Sequence, residues 1–92
     1  MDNLLKEIEE ARFKASAGQM DEAKEHIEEA LKLLSDAMAG ETTVSVREAQ
    51  TYVAEARFAA IRTESGPATK ALDWALRALE NHLKYAATSA RR

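Results

Sequence analysis

Two histidines and one acid-rich stretch come nearest to chemistry in this chain. His26 stands among Glu22, Glu25 and Glu29, and Glu22 precedes it by four residues, on the same helical face. Imidazole and carboxylates in that arrangement could ligate a metal. A di-iron carboxylate bundle needs Glu-x-x-His twice, with further inward glutamates. Neither histidine here has Glu three residues before it. The acidic residues lie opposite Ile27 and Leu31, so they read as a solvated face partly paired with Lys24 and Lys32. No metal is expected. The absence of Cys excludes disulfides, thiolate catalysis and cysteine-ligated zinc. The three Gly are isolated at turns, so no loop cradles a phosphate. A Ser-His-Asp triad would need a pocket, for which so small a bundle has little volume. No cofactor is expected.

Arg77 precedes His82 by five residues in the last helix. The pair resembles the Arg-x4-6-His signature of HEPN-type ribonucleases, which are also small helical bundles. The resemblance implies an arginine that stabilises phosphate charge and a histidine that transfers a proton. In a straight helix, residues five apart point about 140° away from each other. Ala78 follows Arg77, where that family often has a polar residue. With seven Arg and two His, such a spacing also arises readily by chance. His82-Leu83-Lys84 is similar to the His-x-Leu-Lys of histidine phosphotransfer bundles, but one residue short. The plainer reading packs His82 beside Trp74 and Tyr85. The chain is read as no enzyme, with an RNA-cleaving or inactive nuclease-related bundle as the alternative.

The five aromatics offer a different kind of site. Tyr52 lies on the main apolar face of its helix. Phe13 and Phe58 lie off theirs, and Trp74 and Tyr85 share a flanking stripe with Ala78. A simple four-helix core leaves Phe13, Phe58, Trp74 and Tyr85 at its edges. They form a partner surface, homodimerisation included, unless the first and last helices are buried more widely. Arg12 and Arg57 flank it as carboxylate partners.

The elements that position these residues are helices. The chain has 19 Ala, 12 Glu and 9 Leu, and only three Gly and one Pro. Three Val and three Ile are too few for a sheet. The apolar spacing predicts four helices, over 2–17, 21–39, 45–63 and 67–88. Gly18 and Gly40 stop the first two, and Asp21 caps the second. Ser45 with Glu48 forms a capping box for the third, with Thr43 as the rival cap. Ser65-Gly66-Pro67 restarts the chain for the fourth, and Arg91 and Arg92 fray. The predicted core takes Leu4, Leu5, Ile8, Ala11 and Ala15, then Ala23, Ile27, Ala30, Leu31, Leu34 and Met38. It continues with Val46, Ala49, Tyr52, Val53, Ala56 and Ala60, then Ala68, Leu72, Ala75, Leu76, Leu79, Leu83 and Ala86. Connections of about three to four residues make neighbours antiparallel. The expected fold is all-α: a four-helix up-and-down bundle in one domain, from hairpins 2–39 and 43–88.

The halves echo each other. Glu10-Ala11-Arg12-Phe13 recurs as Glu55-Ala56-Arg57-Phe58, an offset of 45, and Ala15 matches Ala60. A three-residue insertion would then match Gly18 with Gly66 and Ala23 with Ala71. Duplication and chance both remain open, since Ala is so frequent. Each half resembles part of a tetratricopeptide repeat, with a turn Gly and small residues at fixed steps. Gly18, Met20, Ala23, Ile27 and Ala30 follow that spacing, as do Gly66, Ala68, Ala71, Ala75 and Ala78. The family's Trp, Leu-Gly and Tyr positions and its closing Pro are absent. Two hairpins are too few for an open solenoid, so a closed bundle is expected. The resemblance implies binding of protein segments and no chemistry.

Bulk properties narrow the function. Thirteen Lys and Arg against 16 Asp and Glu give a net charge of −3, which disfavours a dedicated nucleic-acid binder. No apolar run approaches the ~18 residues that span a bilayer. The acidic, amphipathic N-terminus is unlike a secretory signal, so the expected location is cytoplasmic. The irregular 40–44 connection is unlike an idealised engineered bundle. The leading expectation is a small non-enzymatic protein–protein interaction module: an adaptor, regulator or inhibitor whose partner is another protein or a second copy.

Overall fold

The computed structural model describes the backbone of residues 2–38 and 44–90, and the side chains of 3–36 and 44–83. Four helices follow in order: α1 (Asp2–Ser16), α2 (Met20–Met38), α3 (Val44–Ile61) and α4 (Ser65–Ala90). There is no strand among the described residues. α1 and α3 each pack against both α2 and α4, so the helices stand at the corners of a square. This is the all-α four-helix bundle that the apolar spacing predicts.

Three helix starts differ from the expectation. α2 opens at Met20, so Asp21 is no cap. With Glu22 it places acid in the first turn, where the helix dipole favours it. α3 opens at Val44, so Ser45 is already helical and cannot head a capping box. The rival cap Thr43 lies outside the described residues, as do Gly40, Arg91, Arg92 and the side chains of Met38 and Ala86. α4 starts two residues before Pro67, which therefore sits within the first turn, where a missing N–H is harmless.

One apolar core runs through all four helices, and no polar or charged residue is buried among the described residues. Leu5, Leu31 and Tyr52 are only partly buried against it, while Ala59 and Ala78 join it. Leu83 is exposed rather than buried. α4 has 26 residues and α3 has 18. At ~1.5 Å per residue, Leu83 stands level with the far end of α3.

The repeat keeps its offset of 45 without an insertion. Ala17, Gly18, Gln19 and Ala23 donate to Phe13, Ala15, Lys14 and Gln19. Their counterparts Arg62, Thr63, Glu64 and Ala68 donate to Phe58, Ala60, Ala59 and Glu64. Both turns are the same left-handed helix stop, with Gly18 at φ 80 and Thr63 at φ 55. Gly66, expected to match Gly18, is instead helical. The core obeys the same offset. The six largest fully buried side chains form three pairs: Ile8 with Val53, Ile27 with Leu72, and Leu34 with Leu79. An approximate two-fold axis parallel to the helices therefore relates the two hairpins.

Thr63 holds a conformation that a β-branched side chain resists. The left-handed region costs an L-residue roughly 1–2 kcal/mol, part of which a glycine returns through its freer unfolded chain. Thr63→Gly should therefore stabilise the protein by about 0.5–1 kcal/mol. Urea unfolding measures it, and a loss of stability would refute the assignment of strain. Gly18→Ala should act oppositely. Open space surrounds Gly18, so its cost is conformational alone.

Candidate functional site

The two hairpins share their core but differ on their outer seams. On the α1/α2 seam, Glu7 and His26 are joined by a 2.7 Å hydrogen bond, and Lys14 pairs with Glu22 at 2.9 Å. On the α3/α4 seam the two-fold equivalents are Tyr52, Ala71, Ala59 and Pro67, all apolar or aromatic. Glu29 is replaced there by Trp74. Tyr52 and Trp74 meet ring to ring, with centroids 5.5 Å apart and planes tilted by 56°. Such tilted pairs use the positive ring edge against the negative face.

The result is a groove along α3 and α4. One part, of about 290 Å³, is lined by Tyr52, Glu55, Pro67, Lys70, Ala71 and Trp74. It continues past Glu55, Pro67 and Ala71 to Phe58, Ala59 and Arg62. The pair of helices exposes its aromatics here because the small side chains of Ala59 and Ala71 line the groove between them. Trp74 stays 46% exposed and Phe58 57%, enough to offer both rings to a partner.

The structure divides the six residues proposed from sequence. Phe58 and Trp74 lie on this groove. Phe13 is 66% exposed but lies across the two-fold axis, on the other side of the bundle. The side chain of Tyr85 lies outside the described residues. Arg12 and Arg57 already have carboxylate partners within the chain. Arg12 reaches Asp73 at 2.9 Å and Arg57 reaches Glu28 at 3.9 Å. These pairs are themselves two-fold equivalents and clamp hairpin to hairpin. Both are exposed, so each contributes ~0–1 kcal/mol. Tyr52 is the groove residue that sequence reasoning assigned to the core.

Asp73 also forms an ion pair with Arg77 at 3.2 Å, so Arg77 turns toward the α1/α4 seam. His82 is half-buried five residues on, where helical geometry points it elsewhere. No group of three or more metal-ligating side chains occurs among the described residues. Glu22 raises the pKa of Lys14, chiefly through their hydrogen bond and then through its charge. A raised lysine pKa contributes stability below the unfolded value. That contribution is lost as pH rises through the folded value. Glu22→Gln should lower the Lys14 pKa toward its ordinary 10.5. An NMR titration of the Lys14 side chain follows this, and an unchanged midpoint would refute the pairing.

No described helix is long and apolar enough to cross a membrane. The chain matches no protein-family model, no curated protein and no solved structure.

Proposed function

We propose that this chain is a non-enzymatic protein–protein interaction module of the cytoplasm, and that the α3/α4 groove is its docking surface. The observation that carries the reading is the contrast between the seams. The same backbone arrangement is closed by polar pairs in one hairpin and lined by Tyr52, Trp74 and Pro67 in the other. An internal repeat is its own control: the fold needs no aromatics at these positions, since the first hairpin does without them. Aromatic side chains at the edge of a shallow groove bury much area at low entropic cost. The tetratricopeptide-like spacing of Gly18, Met20, Ala23, Ile27 and Ala30 points the same way.

Trp74 is the only tryptophan, so its fluorescence reports on the groove directly. The test is selection of displayed peptides against the folded chain. Groove ligands are expected to be helical segments with one apolar face. Their binding should shift Trp74 emission to the blue and shield it from acrylamide. Ligands that leave Trp74 unchanged would move the docking surface elsewhere.

A further inference from the structure

We propose that the occupant of the α3/α4 groove is a second copy of this chain, packed so that Glu55 of each copy faces the partner's Lys70. The proposal rests on the docking reading above and names its partner. Charge is the first support. Glu55 stands on α3 and Lys70 on α4, and both line the same part of the groove. Neither forms an ion pair with any described residue. The other charge along the groove, Arg62, is paired with Glu64.

The groove is therefore self-complementary. A two-fold axis parallel to the helices lays α3 of one copy over α4 of the other at equal height. That operation sets each Glu55 opposite the partner's Lys70, and each Tyr52 opposite the partner's Trp74. The chain already uses this packing internally, where α1 lies on α4 and α2 on α3 about a parallel axis.

Patterning agrees. α3 buries Val46, Ala49, Val53 and Ala56 against the core and also carries Tyr52, Phe58 and Ile61 on its outer half, among charged residues. Apolar side chains grouped beside a groove mark an interaction surface, and a second copy covers them.

The test is sedimentation equilibrium over a concentration series, with circular dichroism confirming the fold of each protein. The wild type is expected to dimerise. Glu55→Lys and Lys70→Glu each set like charges face to face at both symmetric contacts. Each should weaken self-association by about tenfold or more. An equimolar mixture of the two variants should regain the dimer, because every facing pair is again opposite in sign. A wild type that stays monomeric at every concentration overturns the proposal. Peptides that still shift Trp74 would then leave the docking reading standing with a partner helix as occupant, whereas their absence would remove both. A dimer indifferent to both reversals would also overturn it, by placing the interface elsewhere.

Discussion

Ile27→Ala and Leu72→Ala are expected to destabilise the protein by about 3 kcal/mol each, and by nearly the same amount. Both residues are fully buried, and the offset of 45 makes them equivalents in the two hairpins. Alanines outnumber larger side chains in the described core. The few large residues therefore supply most of the apolar volume, and their neighbours are too short to fill a void. A chain of this length has a total stability of roughly 5–14 kcal/mol. Each variant should consequently melt at least about 12 °C lower. Urea unfolding with unchanged slope would separate lost stability from a changed denatured state. The two-fold description fails if one substitution costs several times the other.

The helices and their inner faces were legible because they are local. Ile8, Ala11 and Ala15, or Leu72, Ala75 and Leu79, recur at the helical period whatever lies opposite. The true register of the repeat was not. A left-handed stop normally carries Gly, and Gly66 three residues later drew the match away from Thr63. Backbone hydrogen bonds and the positive φ reveal that Thr63 occupies the Gly18 position. With the offset held at 45, the sequence itself then shows Glu7, Lys14, Glu22 and Glu29 replaced by Tyr52, Ala59, Pro67 and Trp74.

The candidate site was half legible for a related reason. Helical period placed Phe58 and Trp74 off their inner faces, and both are exposed. It also placed Phe13 there, and could not say that Phe13 and Phe58 face opposite ways. That depends on how the hairpins pack, which no single helix encodes. Tyr52 sits near the border of its helix's apolar face, so its turn toward Trp74 follows from the relative height of α3 and α4. The Arg12–Asp73 contact, 61 residues apart, has no local signature either.

Trp74→Ala combined with Phe58→Ala should separate association from folding. Truncating a central aromatic anchor typically weakens binding by about 2 kcal/mol or more, roughly thirtyfold. The pair together should reduce association through the groove beyond ready detection. The monomer is destabilised as well. Phe58 is exposed, but Trp74 loses its tilted contact with Tyr52, about 0.5–1.5 kcal/mol, together with the apolar area of its buried half. Helicity should be retained, with a lowered melting temperature. Phe13→Ala is the matched control, since Phe13 is the two-fold equivalent of Phe58 in the hairpin with the charged seam. It should leave association unchanged. If Phe13→Ala weakens association as much as Phe58→Ala does, the groove is not the interface. If the double variant loses its helicity, the aromatics serve the fold, because the second hairpin would then depend on contacts that the first replaces with charge.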